Sequence, residues 1–280
     1  MTPTIYPCLW FDGKAKEAAT FYCSVFPQAS ITADTPMVVT FEAAGQKFMC
    51  LNGGPEFTFN PSISFFVQSE TEAEVDQLWS QLADGGTVLM PIDKYDWSEK
   101  YGWVQDRFGI SWQLSLGRIE DTGQKFVPSL LFTGGQHGKA EQAVRFYTSI
   151  WRPSTITGIL KYGEGEGEAA GTVKHAQFTL GDSVFMAMDS GFPHGFQFNE
   201  AISFVVEGQT QEEIDYYWNH LTKEGGEEGP CGWLKDPFGV WWQIIPAVLK
   251  TLMSDPEKSG RVMKAFRKMK KMDIETLVNA

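Results

Sequence analysis

A segment of thirteen residues occurs twice in this chain. It spans residues 102–114 in the first copy and residues 232–244 in the second, and both copies read Gly-Trp-x-x-Asp-x-Phe-Gly-x-x-Trp-Gln-x. The copies lie much farther apart than the roughly 20–50 residues that separate the repeats of solenoids and propellers. The chain is therefore predicted to contain two domain-sized repeats in tandem.

The same duplication extends to other parts of the chain. The pattern Ala-x-x-Phe-Tyr occurs at residues 18–22 and again at residues 143–147. An apolar strand pattern that begins with serine occurs at residues 64–67 and again at residues 203–206. Two repeats of about 125 residues match the usual size of a domain. The expected boundaries are 1–121 for the first domain, 122–250 for the second domain and 251–280 for a C-terminal helical tail.

Each repeat contains the same order of local patterns twice. Apolar runs predict strands, an apolar spacing of three to four residues predicts helices, and Gly, Pro and Asn mark the turns. In the first repeat these patterns predict two β-α-β-β-β modules, so the fold class is α+β. The predicted strands are 5–11, 30–32, 37–41, 47–51, 63–67, 101–105 and 110–115, and the predicted helices are 13–26 and 72–83. Residues 87–101 are predicted to form the longest loop.

The composition excludes several classes of partner and location. The formal net charge of −12 repels phosphate backbones and acidic membrane surfaces, so neither nucleic acid nor a membrane is an expected partner. No apolar run approaches the roughly 18 residues that span a bilayer. The N-terminal segment lacks the pattern of a secretory signal, and the four cysteines lack a Cys-x-x-Cys spacing. We therefore expect a cytoplasmic protein with reduced cysteines.

Several motifs together resemble one known family. They are the opening Pro-x-Leu-Trp-Phe at residues 7–11, the Ala-x-x-Phe-Tyr helix, the repeated Gly-Trp-x-x-Asp-x-Phe-Gly-x-x-Trp-Gln segment and the tail Met-Lys-Lys-Met-Asp-Ile-Glu-Thr-Leu at residues 269–277. The chain resembles the PhnB-like branch of the vicinal oxygen chelate superfamily, which includes glyoxalase I, extradiol dioxygenases and the fosfomycin and bleomycin resistance proteins. The resemblance implies two tandem domains in which paired βαβββ modules form a cup that holds a ligand.

The resemblance also implies where a metal would bind, and the residues at those positions argue against one. Gln113 and Gln243 stand where the superfamily places a carboxylate ligand, and Ser64 and Ser203 stand where a ligand histidine often lies. The first domain contains no histidine, although imidazole is the commonest ligand for such metals. The expectation is that the protein needs no cofactor. The alternative is a divalent metal in the second domain.

All four histidines belong to the second repeat, and two of them are weak metal candidates. His175 lies in a strand pattern and His194 in a loop, and together with Gln243 they are the residues that a metal in the second cup would use. His175 is on a strand that is not the usual ligand strand of the superfamily, and a Gly-Pro-rich turn around His194 favours solvent exposure. The histidines are therefore interpreted as ordinary structural or surface residues.

The glutamines are predicted to face the cups. In strand 110–115 the alternation places Gln113 on the opposite face from Trp112, and Gln243 has the same relation to Trp242. A neutral amide in an apolar cavity can orient a small molecule by hydrogen bonding. The predicted ligand-binding residues are Gln113, Gln243, Ser64, Ser203 and Trp10.

Two further motifs are interpreted as structural. The repeated Asp106 and Asp236 lie between two strands in an Asp-x-Phe-Gly sequence, which is typical of a hairpin turn. The run Gly-Glu-Gly-Glu-Gly-Glu at residues 163–168 does not open a helix after a buried strand, as a nucleotide-binding loop must. It is predicted to be a flexible acidic loop.

These observations leave several functions open. The first is a metal-free protein that binds an aromatic or amphipathic small molecule in one or both cups. The second is a metal-dependent lyase, isomerase or dioxygenase that uses the second domain. The PhnB-like branch is also labelled 3-demethylubiquinone-9 3-methyltransferase, so methyl transfer is a third function, and in a fourth interpretation one repeat only supports the other. Whether the protein is an enzyme stays open.

The tail is predicted to be helical. Asp255 followed by Pro256 is typical of a helix start, and Val262, Phe266 and Met269 form one apolar stripe. A short stripe of this kind favours packing on the protein or on a partner subunit. The chain is accordingly expected to be a monomer with two similar halves or a homodimer.

Overall fold

Four βαβββ modules follow one another along the chain. The fold was obtained as a computed structural model, which describes residues 3–280. The first module comprises β1 (Thr4–Phe11), α1 (Ala15–Val25), β2 (Ser30–Asp34), β3 (Val38–Ala43) and β4 (Gln46–Asn52). The second comprises β5 (Ile63–Ser69), α2 (Glu72–Ala83), β6 (Thr87–Tyr95), β7 (Ser98–Gln105) and β8 (Ser111–Leu116), followed by the short α3 (Ile119–Thr122).

The second repeat has the same order of elements. The third module comprises β9 (Phe126–Phe132), α4 (Ala140–Ile150), β10 (Ser154–Lys161), β11 (Val173–Leu180) and β12 (Ser183–Asp189). The fourth comprises β13 (Ile202–Gly208), α5 (Gln211–Leu221), β14 (Glu227–Glu228), β15 (Trp233–Lys235) and β16 (Trp241–Pro246). The tail forms α6 (Leu249–Ser254), α7 (Ser259–Phe266) and α8 (Ile274–Val278). The predicted duplication of modules and the α+β class are confirmed.

The predicted loop at residues 87–101 is wrong, because this segment forms most of a long β-hairpin. β6 pairs with β7 in antiparallel register, with several register shifts along its length. It lies at the edge of its sheet, where Pro91 can be accommodated because an edge strand has one row of free backbone donors. Proline and the irregular register hide the alternation that would have identified the strand.

The chain folds into two compact units. One contains residues 8–202, and the other contains residues 203–280 with the N-terminal residues up to Pro7. In the first unit eight strands form one sheet in the order β10-β11-β12-β9-β5-β8-β7-β6. Its centre is the antiparallel pair of β5 and β9, in which Ser64 lies opposite Ser129. This sheet joins the second module to the third across the predicted boundary at residues 121 and 122. The domain boundaries stay predictions.

The remaining strands repeat one motif in both units. In the unit of residues 8–202, β1 is parallel to β4, with β3 and β2 beyond it. In the other unit, β13 is parallel to β16, followed by β15 and β14. In each module the helix covers one face of its strands. On this face of the second module, Phe65 and Trp112 are fully buried.

The repeated Asp-x-Phe-Gly sequences form hairpin turns, as predicted. Asp106 Oδ1 accepts hydrogen bonds from the backbone N–H groups of Phe108 at 2.8 Å and Ile110 at 3.0 Å. Its Oδ2 accepts hydrogen bonds from the Tyr22 hydroxyl and from Trp112 Nε1, both at 2.8 Å. Burial raises the pKa of Asp106, and these four donated hydrogen bonds oppose the rise. The carboxylate therefore ties the turn to the helix-covered core.

Asp236 makes the equivalent contacts in the second repeat. It accepts hydrogen bonds from the backbone N–H groups of Phe238 at 2.9 Å and Val240 at 3.0 Å, and from Trp242 Nε1 at 2.8 Å. The glycine of this turn, Gly239, has a φ of +90°, a conformation that L side chains rarely adopt. The turn chemistry is thus the same in both copies.

The tail packs on its own unit. Val262, Met272 and Leu277 are fully buried, and the backbone N–H of Cys231 donates to the carbonyl of Met269 at 2.7 Å. The predicted start of the helix at Asp255 is wrong, because α7 begins at Ser259. The Asp255 side chain instead accepts a hydrogen bond from the N–H of Glu257 in a turn that precedes the helix.

Two threonines cap equivalent helices, and the first gives a test of this local structure. Thr71 Oγ1 accepts a hydrogen bond from the N–H of Glu74 at 3.3 Å, and Thr210 does the same for Glu213 at 3.3 Å. Thr71→Ala is expected to lower the free energy of unfolding by about 1 kcal/mol, since a helix N–H loses its partner. Urea denaturation measures the loss. Thr20→Ala within α1 is the control, and an equal loss in both variants would contradict the capping role.

The four cysteines differ in their burial. Cys8 and Cys50 are buried, whereas Cys23 and Cys231 are half-buried, and all four are free thiols. Burial raises the pKa of the Cys50 thiol, so this group stays protonated and behaves as a small apolar side chain. Cysteine chemistry therefore does not identify the functional site.

Candidate functional site

Gln113 lies on the face of β8 that points away from the helices. Its Nε2 donates a hydrogen bond to Ser64 Oγ at 2.7 Å, and its Oε1 accepts one from the Tyr101 hydroxyl at 2.7 Å. The structure therefore brings together Gln113 and Ser64, two of the predicted ligand-binding residues. Both ends of the amide are already bonded to the protein, and Gln113 is only 4% exposed.

Tyr101 is a site residue that the sequence analysis missed. Tyr101 is buried, and this burial raises the pKa of its phenol, with a smaller contribution from Tyr95. The hydroxyl therefore stays protonated and donates to Gln113. The alternation along β7 could have identified Tyr101, because it places Tyr101 and Trp103 on the same face of the strand. Tyr101 also forms edge contacts with Tyr95 and Trp97 from the β6–β7 hairpin.

Apolar side chains of the protein itself surround this end of the sheet. Phe66 lies opposite Gln113 on the neighbouring strand. Phe66 packs against a buried cluster of Val127, Val184 and Met186 from β9 and β12. The hydrogen-bonded group of Ser64, Gln113 and Tyr101 is thus enclosed by the β6–β7 hairpin and by these apolar side chains.

Gln243 has only half of these contacts. Its Nε2 donates to Ser203 Oγ at 3.0 Å, so these two predicted ligand-binding residues are also brought together. The residue equivalent to Tyr101 is Cys231, which cannot reproduce the phenol. Within residues 3–280, no donor is bonded to Gln243 Oε1, and this oxygen is not one of the fully buried polar atoms without a partner. The amide is oriented by Ser203, and Gln243 as a whole is 6% exposed, close to the 4% of Gln113.

The difference between the repeats lies in the side chains around the two glutamines, which are more exposed around Gln243 than around Gln113. Along the polar face of the second repeat, Trp233, Trp241 and Ile245 are all partly exposed. At the positions equivalent to Trp241 and Ile245, the first repeat has serines that are buried. The Trp233 and Trp241 rings lie 6.4 Å apart at an angle of 62°. We name the side of β13, β15 and β16 that holds these residues and Gln243 the open face.

Glu207 adds a carboxylate to the open face and was missed by the sequence analysis. Side chains alternate along a strand, so Glu207 lies on the same face of β13 as Ser203 and Val205. Val205 lies opposite Gln243 on the neighbouring strand. Glu207 Oε1 accepts a hydrogen bond from the Tyr6 hydroxyl at 2.6 Å. The sequence contained a signal for this residue. The repeated strand pattern was given as residues 203–206, and extending it by one residue places Glu207 on the same face as Ser203 and Val205.

Trp10 is not placed with the Gln113 network. It lies on β1, which is not a strand of the sheet that contains β5 and β8. Its Nε1 donates to the carbonyl of Gly54 at 2.8 Å, and its ring lies directly against Gly53, where any side chain would collide with it. The indole N–H is therefore already bonded to the backbone.

The histidine candidates do not form a metal centre. His175 lies on β11, where burial lowers its pKa, and His194 Nε2 is bonded to Ser190 Oγ at 2.7 Å in the loop that follows β12. No group of three His, Cys, Asp or Glu side chains within the described part of the chain is arranged to hold a metal ion. The open face offers an amide, a hydroxyl and one carboxylate. This donor set lacks imidazole and does not fit the metals of the superfamily.

The acidic loop of residues 163–168 is held by its own carboxylates. Glu166 accepts a hydrogen bond from the N–H of Gly163 at 2.7 Å and pairs with Lys174, and Glu168 accepts one from the N–H of Gly191 at 2.8 Å. These backbone donors therefore bind carboxylates of the protein. The loop gives no support for a phosphate or methyl-donor site.

The duplicated βαβββ modules give the chain the fold of the vicinal oxygen chelate superfamily. Glyoxalase I from Zea mays has this fold, with a TM-score of 0.58 and 12% sequence identity over 91% of this chain and 97% of that chain. At this identity the likeness shows the fold alone.

The family model described as 3-demethylubiquinone-9 3-methyltransferase matches residues 3–115 and again residues 124–245, so the chain belongs to this PhnB-like family. A PhnB protein from Bacillus cereus is 40% identical, over 40% of this chain and 98% of that chain, with a TM-score of 0.38. None of the curated proteins matches the chain. Within the described residues, no helix is both long enough and apolar enough to cross a membrane.

Proposed function

We propose that the protein binds a small organic molecule on the open face of the second repeat, without a metal ion. The observation that supports this most directly is the hydrogen bonding of the Gln243 amide. Ser203 fixes its nitrogen, while its oxygen accepts no hydrogen bond from the described residues. An oriented acceptor beside partly exposed indole rings is how small-molecule sites are commonly built, with few polar groups in apolar surroundings.

The difference between the two glutamines supports a structural role for the first repeat. Tyr101 and Ser64 occupy both ends of the Gln113 amide, and the hairpin residue Tyr95 packs against Tyr101. A ligand would have to displace these contacts before it reached Gln113. In this proposal one copy of the duplicated site stabilises the sheet, and the other binds the ligand.

Methyl transfer is not part of the proposal. The family description names that reaction, but the glycine-rich loop binds its own carboxylates. The proposed ligand is a planar molecule with an N–H or O–H group that donates to Gln243 Oε1. Trp233 and Trp241 would contact its ring.

Indole is a suitable probe because it has one N–H donor and one flat ring. Gln243→Leu is expected to weaken indole binding by about 0.5–1.5 kcal/mol, the usual net contribution of a neutral hydrogen bond. Isothermal titration calorimetry measures the affinity. Gln113→Leu is the matched control and should leave indole affinity unchanged.

The proposal fails if indole and related planar donors do not bind the full chain at millimolar concentration. It also fails if Gln243→Leu leaves indole affinity unchanged and only lowers the melting temperature. In that case the amide of the second repeat would be structural, like that of the first.

A further inference from the structure

The first repeat contains a phenol that is bonded to the glutamine of its site. The Tyr101 hydroxyl donates a hydrogen bond to Gln113 Oε1 at 2.7 Å, while Gln113 Nε2 donates to Ser64 Oγ at 2.7 Å. The centre of the Tyr101 ring lies 5.7 Å from that of Tyr95 and 6.5 Å from that of Phe66. The serine fixes the orientation of the amide, and the phenol satisfies the oxygen that this orientation presents.

The second repeat keeps the serine and the glutamine but lacks the phenol. Gln243 Nε2 donates to Ser203 Oγ at 3.0 Å, and Cys231 stands at the position of Tyr101. The backbone of Cys231 has a φ of +58°, and its N–H donates to the carbonyl of Met269 in the tail at 2.7 Å. Among the described residues, the oxygen of Gln243 therefore lacks the donor that its counterpart in the first repeat has.

The hairpin that covers Tyr101 is much shorter in the second repeat. β6 has nine residues, whereas its counterpart β14 has two. Tyr95 and Trp97 of the long hairpin pack against Tyr101. β14 provides no ring of this kind, since it consists of Glu227 and Glu228. A ring that approached Gln243 would therefore not have to displace such a hairpin.

Apolar side chains flank Gln243 on the open face. Trp233 lies opposite Gln243 on β15, and Ile245 follows Gln243 on the same face of β16. Both side chains are partly exposed. The Lys235 ammonium lies 5.9 Å from the centre of the Trp241 ring, so a ligand ring would rest mainly on Trp233 and Ile245.

The hydrogen bonding of the amide restricts the chemical class of the ligand. Gln243 Oε1 can only accept, so a ligand has to bring an O–H or N–H donor. A phenol has an ordinary pKa of about 10, so it is uncharged at neutral pH and keeps the proton that it donates. It combines this donor with a flat apolar ring, as Tyr101 does in the first repeat.

We propose that the second repeat binds a phenol, whose hydroxyl takes the place at Gln243 Oε1 that the Tyr101 hydroxyl takes at Gln113 Oε1. This inference rests on the proposed function and adds the chemical class of the ligand to it. The ring packs on the exposed parts of Trp233 and Ile245. Tyr101 is accordingly a built-in counterpart of the ligand, because the first repeat supplies from its own chain what the second repeat takes from solution.

Phenol and anisole test this assignment, because anisole has the same ring but no hydroxyl donor. Titration of the full chain by calorimetry is expected to show about fivefold tighter binding of phenol than of anisole, as one neutral hydrogen bond provides. Gln243→Leu is expected to remove the difference between the two probes. Gln113→Leu is the matched control and should leave it unchanged. Equal affinities of the unchanged protein for phenol and anisole would overturn the inference.

Tyr101→Ala gives a second test, since it removes the built-in phenol beside Gln113. Phenol is expected to raise the melting temperature of this variant more than that of the unchanged protein, because a ligand of the native state stabilises it. Tyr101→Phe is the control, since phenylalanine keeps the ring and leaves no room. Equal shifts in the two variants would contradict the role of Tyr101 as a counterpart of the ligand. Circular dichroism checks folding, and the calorimetric test does not depend on either variant.

The outcomes separate this inference from the proposed function. If indole binds and Gln243→Leu weakens it, but phenol binds no tighter than anisole, only the assignment of a phenol is wrong. If neither indole nor phenol binds the full chain at millimolar concentration, both proposals are wrong. If phenol binds tighter than anisole and Gln243→Leu leaves that difference unchanged, phenol binds elsewhere and the inference is wrong as well.

Discussion

Asp106→Ala is expected to lower the free energy of unfolding by about 3–5 kcal/mol, since one buried carboxylate accepts four hydrogen bonds in this turn. Two of the donors are the backbone N–H groups of Phe108 and Ile110, and two are the side chains of Tyr22 and Trp112. Alanine would leave these donors buried without an acceptor. Urea denaturation followed by tryptophan fluorescence measures the loss.

Asp84→Ala is the matched control for this variant. Asp84 pairs with Arg107 at 2.8 Å, but its side chain is 76% exposed, so the change is expected to cost less than about 1 kcal/mol. Losses of equal size in the two variants would show that the turn does not depend on the Asp106 carboxylate.

Gln113→Leu is expected to lower the free energy of unfolding by about 2–3 kcal/mol, more than the same change at Gln243. Leucine would leave the buried Tyr101 hydroxyl without its acceptor and the buried Ser64 hydroxyl without its donor, and each such loss costs about 1–3 kcal/mol. At Gln243 only the bond with Ser203 is lost. Thermal and urea denaturation of the two single variants measure the difference.

The comparison within one chain makes this test strict. The two leucine variants have the same change in volume and polarity, at equivalent positions of repeated strands. If Gln243→Leu destabilises the protein as much as Gln113→Leu, the two amides have the same structural role. The assignment of ligand binding to the second repeat would then lose its main support.

Local patterns were sufficient to predict most of the elements. The helix from Glu72 to Ala83 was predicted with its observed bounds, because its apolar spacing and its flanking turn residues are both local. The Asp106 turn was predicted for the same reason, since its first hydrogen bonds reach only to Phe108 and Ile110. Alternation together with the family resemblance selected the serine and the glutamine of each repeat as ligand-binding candidates, but the hydrogen bond between them was not predicted.

Contacts between distant strands could not be predicted in this way. The bond from Tyr101 to Gln113 depends on the register of β7 with β8, and the bond from Tyr6 to Glu207 joins residues that are far apart in sequence. Alternation placed these side chains on a face but did not identify their partners. The difference between the enclosed and the open site is therefore a property of the tertiary structure.

The pairing of β5 with β9 has a consequence for any attempt to isolate one repeat. A cut between residues 121 and 122 would separate two central strands of the eight-stranded sheet and leave a long unpaired backbone edge on each fragment. Free edges of this kind promote association with other chains. Fragments made at that point are expected to aggregate or to pair again when mixed, although the sequence there marks the boundary between two copies.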